Sequence, residues 1–106
     1  MSKYVVLFYG GSMPEGEAEQ KKSMDEWTAW YGQMGASVAD TGNPFAPMSK
    51  NISPSGKITN ESDCEAPNGY LMLKADSMDA AVSLSKTCPA IKDGASASVL
   101  EVMEIM

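Results

Sequence analysis

Two stretches of the chain show the same order of strand, helix and strand, and this doubled order restricts the fold more than any other feature. In the first stretch, an unbroken β-branched and aromatic run over Lys3–Tyr9 predicts a central strand covered on both faces. A helix over 17–34 with Gly35 as its C-cap and a strand over Ser37–Thr41 are predicted next. The apolar face of that helix carries Met24, Trp27, Trp30, Tyr31 and Met34.

The second stretch repeats the order with a strand over Tyr70–Ala75, a helix and a final strand over Ser98–Ile105. Asp76 is the predicted N-cap of this second helix, and Pro89 ends it. Right-handed crossovers place both helices on the same face of the sheet. The expected fold class is therefore α+β, in the ferredoxin-like split βαβ arrangement.

A short polar segment separates the two halves. Lys50-Asn51-Ile52 and Lys57-Ile58-Thr59 flank Ser53-Pro54-Ser55-Gly56, whose proline and glycine positions are typical of a type I turn. This pattern predicts an inserted small β-hairpin that stands off the main body. The total of 106 residues fits one domain, which we expect to span residues 1–106.

The predicted arrangement leaves one face of the sheet without a helix. Apolar residues of the last predicted strand nevertheless point to both faces, with Val99 and Met103 on one side and Leu100 and Val102 on the other. A soluble monomer should not expose such a surface. We therefore expect a homodimer in which two copies pack sheet on sheet about a two-fold axis.

Charge and composition exclude several classes of function. The chain has a formal net charge of −6, no arginine and no histidine, which counts against nucleic acid and against an anionic membrane surface as partners. The missing histidine also excludes Ser-His-Asp and Cys-His catalysis and His-ligated zinc. The acidic stretch with Glu61, Asp63 and Glu65 lacks the pattern of a calcium loop. We expect no metal and no cofactor.

The expected lack of a signal peptide and the expected free thiols favour a cytoplasmic location. The opening residues lack the long apolar stretch and cleavage site of a signal peptide, and no segment approaches the ~18 apolar residues of a membrane span. Without an export signal, Cys64 and Cys88 are expected to be free thiols. Cys88 faces the predicted core and should be inert, and the acids beside Cys64 disfavour its thiolate.

Several motifs carry a resemblance to a known family. The C-terminal half contains Gly69-Tyr-Leu-Met-Leu-Lys-Ala-Asp-Ser-Met-Asp-Ala-Ala-Val, then Cys88-Pro89, then Val99-Leu-Glu-Val. The N-terminal half contains Trp27-Thr-Ala-Trp30 followed by Ala39-Asp-Thr-Gly-Asn-Pro-Phe45. In order and spacing these motifs resemble the YCII-related family, also called the DGPF-domain family, over almost the full length.

The resemblance implies a dimeric α/β barrel, in which two ferredoxin-like units share their sheets. Some members of the family are linked to lyase or dehalogenase-type chemistry on small ring compounds, and the archetype has a proposed His–Asp pair. This chain has no histidine for such a pair. It also carries Ile58-Thr59-Asn60-Glu61 where the family often has a hydrophobic-Thr-Asp-Gly run.

Asp40 is the residue most suited to chemistry, as a general acid or base beside aromatic walls formed by Trp27 and Trp30. Tyr31 on the same helix face, with Asn43 and Phe45 in the matched motif, completes a set of candidate ligand-binding residues. The expected ligand is a small, largely apolar molecule, uncharged or cationic, in the helix–sheet cleft. Any catalysis would be cofactor-free acid–base or lyase-type chemistry.

Each of these residues also has a structural interpretation. Asp40 can accept N–H bonds from the Thr41-Gly42-Asn43 turn, as aspartates commonly do. The two tryptophans can pack as core against the sheet, and the high methionine content suits core filling as well as an adaptable pocket. The alternative function is thus a non-catalytic dimeric binding or accessory module.

Overall fold

The computed structural model describes residues 2–10, 15–46, 48–60 and 66–105. The hypotheses about Cys64 and about the acidic residues of 61–65 lie outside the described residues. The elements in chain order are β1 (Ser2–Gly10), α1 (Gly16–Met34), a 3-10 turn (Gly35–Ser37), β2 (Val38–Pro44), β3 (Lys50–Ile52), β4 (Ile58–Asn60), β5 (Gly69–Ala75), α2 (Met78–Ser85), α3 (Pro89–Lys92) and β6 (Ala95–Glu101).

Four of the strands form one antiparallel sheet in the order β2-β5-β1-β6. The long strand β1 lies in the interior of this sheet, between β5 and β6, as its unbroken apolar sequence predicts. Among the described residues, the short strands β3 and β4 pair with each other in a separate two-stranded sheet. The α+β class and the small inserted hairpin are confirmed.

The core lies between one face of the sheet and the three helices. Val6 is paired with Leu71 on one side and with Val99 on the other, and directly opposed residues of antiparallel strands share a face. Trp30 of α1 and Cys88 between α2 and α3 pack against this same face. The three helices of the described residues therefore lie on one side of the sheet, and none of them covers the opposite face.

A chain of two hydrogen bonds joins α1 to the end of α2. The indole Nε1–H of Trp30 donates to the Thr87 hydroxyl at 2.8 Å, and that hydroxyl donates to the Leu84 carbonyl at 2.7 Å. The indole is only 4% exposed, so its N–H needs this partner. The bond therefore fixes how the aromatic face of α1 packs against α2.

Replacing Thr87 with valine should lower the free energy of unfolding by about 1–2 kcal/mol, because the buried indole N–H loses its acceptor. Urea unfolding followed by Trp fluorescence measures this loss. The matched control is Thr28→Val, since the Thr28 hydroxyl donates only to the Met24 carbonyl on the exposed side of α1. Equal effects of the two substitutions would show that the Trp30–Thr87 bond does not stabilise the fold.

The predicted C-cap of α1 is found in the structure, whereas the N-cap of α2 differs from the prediction. Gly35 ends α1 with φ +53° and donates its N–H to the Tyr31 carbonyl, as a glycine C-cap should. The predicted N-cap of α2 is wrong by one residue, because Ser77 occupies that position. Its hydroxyl accepts from the Ala80 N–H at 3.1 Å, and a hydroxyl in the N-cap position satisfies a helix donor as well as a carboxylate does.

Two methionines on predicted apolar faces are exposed. Met24 is 70% exposed and Met103 is 78% exposed. Met24 is not among the α1 side chains that pack in or against the core, which are Trp27, Trp30, Tyr31 and Met34. For Met103 the reason is that β6 ends at Glu101, short of the predicted Ile105.

The turn between β3 and β4 has the predicted hydrogen bond. The Gly56 N–H donates to the Ser53 carbonyl at 2.8 Å, closing the four-residue turn that the Pro54 and Gly56 positions indicate.

Within the described part of the chain, no helix is long and apolar enough to cross a membrane.

Candidate functional site

The candidate site residues fall into two groups on opposite faces of the sheet. Trp27, Trp30 and Tyr31 lie on the face that α1 turns toward the core. Asp40 and Asn43 belong to the edge strand β2 and are in register with Met72 and Tyr70 of β5; Phe45 follows that strand and stacks on Tyr70. The structure therefore does not bring Asp40 into one cleft with the tryptophans.

The aromatic residues of α1 form a packed cluster with Phe8 of β1. The Trp27 ring lies 5.8 Å from the Trp30 ring and 6.2 Å from the Phe8 ring, both in edge-to-face geometry. Edge-to-face pairs at these centroid distances are favourable, because the positive ring edge meets the negative ring face. With Trp30 buried and its N–H bonded within the chain, this cluster has the features of core packing.

Tyr31 links the aromatic cluster to the edge strand. Its hydroxyl donates to the Thr41 carbonyl at 3.2 Å. Burial raises the pKa of the Tyr31 phenol, and the negative charge of a Cys88 thiolate would raise it further. A phenol with a raised pKa remains protonated and can keep donating this bond, so Tyr31 holds the C-terminal part of α1 against β2.

Asp40 lies on the helix-free face, in register with Met72 across from it on β5. Because Met72 alternates with the buried Leu71 and Leu73, it points to the face that carries no helix. Asp40 is exposed, and its Oδ1 accepts from the Gly42 N–H at 2.8 Å. This is the hydrogen bond expected from the structural interpretation of Asp40. Within the described ranges its other oxygen, Oδ2, forms no hydrogen bond or ion pair.

A double irregularity in β2 sets the direction of these side chains. The pairing of β2 with β5 shifts between Val38 and Asp40 and again between Asp40 and Asn43. Gly42 lies in the second shift with φ +67°, and a Cβ there would overlap the Tyr70 carbonyl oxygen. Only glycine permits this close approach, which brings Asp40 and Asn43 to the same edge of the helix-free face.

Phe45 and Tyr70 form the aromatic part of this second group. Their rings are stacked, with centroids 5.4 Å apart and an interplanar angle of 16°. The Phe45 N–H donates to the Asn68 carbonyl at 2.8 Å, which fixes the backbone just after β2. Phe45 is still 42% exposed, so the stacked pair presents an apolar surface to solvent.

An apolar row crosses the helix-free face from this edge. The strand registers align Asp40 with Met72, Met72 with Val5, and Val5 with Leu100. The next row on this face begins at Asn43 and continues across the sheet through Tyr70, Leu7 and Ser98. We name these two rows, with Phe45, the helix-free surface.

The sequence-based site omitted Tyr70, Met72, Val5 and Leu7, although a signal for them exists. In β5 the pattern Tyr70-Leu71-Met72-Leu73 has apolar residues at every position, which means that both faces of the strand are apolar. Applying the period of two would have assigned Tyr70 and Met72 to the face opposite the helices, beside the motif that contains Asp40.

Cys88 is the buried thiol of the core cluster and lies at the start of α3. Burial raises the pKa of the Cys88 thiol to about 11, partly offset by backbone hydrogen bonds from Ala90 and Ile91 and aided by the charge of Asp93. A thiol that stays protonated at neutral pH is a poor nucleophile. The geometry gives Cys88 a packing role.

This raised pKa predicts a loss of stability in alkali. The unfolded chain releases the Cys88 proton near pH 9.0 and the folded chain only near pH 11, so unfolding becomes easier as pH rises through that interval. We expect Cys64→Ser to lose more stability between pH 9 and 11 than Cys64→Ser/Cys88→Ala, as measured by urea unfolding. Parallel curves for the two variants would contradict the burial of this thiol.

Comparison of the chain with models of protein families and with curated proteins finds no match. The helix-free surface combines an apolar floor, one stacked aromatic pair, one amide and one carboxylate. Such a set can hold a small apolar body and attract a positive charge at its edge.

Proposed function

We propose that the chain is a non-catalytic binding module that acts as a homodimer and holds a small apolar amine on its helix-free surface. The observation that supports this most directly is the row that runs from Asp40 through Met72 and Val5 to Leu100. It places one carboxylate at the border of an apolar floor. An ammonium group on an apolar body is the complement of that arrangement.

The dimer in this proposal is a ferredoxin-like unit paired into a dimeric α/β barrel. Numbering only the four main strands along the chain, their order is 4-1-3-2 with all neighbours antiparallel, which is the order that the ferredoxin-like arrangement requires. The uncovered apolar face needs a cover, because monomers rarely expose contiguous apolar patches of more than a few hundred Å². Membership of the YCII-related family and a cytoplasmic location remain part of the same proposal.

The ligand class follows from charge. Asp40 has an unbonded carboxylate oxygen, Oδ2, among the described groups, and the whole chain has a net charge of −6. Both features attract a cation and repel a carboxylate or phosphate. The stacked rings of Phe45 and Tyr70 add a surface on which an aromatic ligand can lie.

Asp40 acts in this proposal as a fixed charge. Its Oδ1 is bonded to the Gly42 N–H, and the carboxyl group is exposed, so the desolvated aromatic environment of a general acid is missing at this position. Proton transfer is thus not needed to explain why a carboxylate lies there.

Three matched probes test the ligand class: 2-phenylethylamine, 2-phenylethanol and phenylacetate share one ring and differ in charge. In amide NMR titrations we expect shifts at Asp40, Asn43 and Tyr70, largest for the amine and absent for the acid. Asp40→Asn should reduce the affinity for the amine about tenfold and leave the affinity for the alcohol unchanged. Equal responses to all three probes, or shifts confined to the helix side, would overturn the proposed ligand class.

A further inference from the structure

The hairpin formed by β3 and β4, which we name the arm (Lys50–Asn60), has an inverted distribution of side chains. Ile52 and Ile58 are directly opposed in the ladder, and directly opposed residues share a face. They are 73% and 61% exposed, while Asn51 and Thr59 on the other face are half-buried. A strand pair normally buries its apolar face and exposes its polar one, so the arm turns its apolar face outward.

Neither strand of the arm packs closely against another helix or strand of the described chain. The Cα radius of gyration is 15.3 Å, whereas a compact chain of this length has about 13 Å. The principal extents are 44 × 40 × 20 Å, so the molecule is about half as thick as it is long. Two-stranded hairpins are only marginally stable in water by themselves, so an outward apolar pair on such a hairpin requires a further contact.

The turn of the arm is organised before any contact forms. The Ser53 N–H donates to the Lys57 carbonyl at 2.8 Å, and the Lys57 N–H donates to the Ser53 hydroxyl at 3.0 Å. These bonds add to the Gly56–Ser53 bond and fix the turn. A preorganised arm loses little conformational entropy on binding, which favours its use as a docking element.

The area available for a dimer indicates what the arm contacts. Strands of 7 residues span roughly 23 Å, and four strands are roughly 19 Å wide, so the flat area of the face is about 440 Å². A stable interface buries about 800 Å² of accessible surface per partner. Protruding side chains make the accessible surface of the face larger than its flat area, which reduces the difference between the two values. The apolar face of the arm adds further apolar surface to the interface.

We infer that each arm packs its Ile52–Ile58 face onto the helix-free surface of a second copy, so that the partner subunit completes the cover of the ligand site. This inference rests on the proposed homodimer and adds the exchange of arms to it. The exchange is reciprocal, because both copies carry one arm and one helix-free surface, as a two-fold axis demands.

The test uses the isoleucine methyl groups, since the chain has only Ile52, Ile58, Ile91 and Ile105. Dimers are mixed from a copy with ¹³C-labelled isoleucine δ1 methyls and an unlabelled copy, and intermolecular contacts are recorded by isotope-filtered NOE. We expect contacts from Ile52 and Ile58 to the side chains of Val5, Leu7 or Leu100. Ile91, which packs on the helix side, is the internal control and should show none.

Substitution gives an independent readout of the same contact. Ile52→Ser/Ile58→Ser should raise the dimer dissociation constant at least about tenfold, while Met24→Ser, at a side chain 70% exposed on α1, should leave it unchanged. A wild-type chain that stays monomeric would refute the proposed homodimer itself. A dimer without intermolecular contacts from the arm, or with an unaltered dissociation constant in the double variant, would refute only the exchange of arms.

Discussion

Gly42→Ala is expected to lower the free energy of unfolding by about 3 kcal/mol or more, the largest effect of a Cβ added at any glycine that the structure describes. The added Cβ would overlap the carbonyl oxygen of Tyr70, and β2 could accept it only by separating from β5. Because Asp40 and Asn43 flank this glycine, the substitution should also displace both side chains. Urea unfolding measures the stability, and amide spectra of residues in β2 and β5 report the displacement.

Gly10→Ala is the matched control for this prediction. Gly10 has the same φ of +67° as Gly42, but a Cβ there would meet nothing within 4 Å. The control therefore includes the conformational strain of about 1 kcal/mol and lacks the steric overlap. If Gly10→Ala and Gly42→Ala were equally destabilising, the close approach of β2 to β5 would not be the reason for the glycine.

Leu100→Lys is expected to raise the dissociation constant of the homodimer at least about a hundredfold. Leu100 ends the row that crosses the helix-free surface and is 45% exposed in one copy, so a lysine there can fold into the monomer without strain. In the proposed dimer the new charge would be buried without a partner, which costs several kcal/mol. Sedimentation velocity across a concentration series measures the change.

Met24→Lys controls for the added charge. Met24 is 70% exposed on α1, away from the helix-free surface, and the same change of side chain should leave the dissociation constant unchanged. A dimer that tolerates Leu100→Lys would mean that two copies associate through some other face. A dimer that both lysines weaken equally would mean that net charge alone controls association.

The order of the elements could be predicted from the sequence because it depends on local patterns. The run in β1, the glycine that ends α1 and the Pro54–Gly56 turn each have a short-range physical cause, and each is found in the structure. Helix boundaries were less predictable where two neighbouring residues can both act as the cap. Asp76 and Ser77 can both cap α2, and only the backbone geometry, extended at Ser77, selects the hydroxyl.

The candidate site could be predicted only in part, because side-chain direction depends on pairing between distant segments. Asp40 and Trp30 are both near the C-terminal end of the first half in sequence, yet the register of β2 against β5 directs Asp40 to the face opposite the helices. Two shifts in that register defeat any simple count of alternating positions in β2. The stacking of Phe45 on Tyr70 joins residues 25 positions apart and has no local signal in the sequence.

The exposure of the isoleucines of the arm could not be predicted from the sequence either. The turn residues predict the hairpin. The three residues of each strand do not indicate which face of the hairpin is exposed to solvent. The structure shows Asn51 and Thr59 half-buried and Ile52 and Ile58 exposed. The arm becomes informative only when this exposure is seen together with the uncovered face of the main sheet.

The molecular mass in solution tests the central claim most directly. Light scattering coupled to size exclusion, at micromolar concentration of the wild-type chain, should give twice the chain mass of 11.3 kDa. The Leu100→Lys variant should give the mass of one chain under the same conditions. A wild-type mass of 11.3 kDa throughout the concentration series would contradict the homodimer, and with it the proposed cover of the helix-free surface.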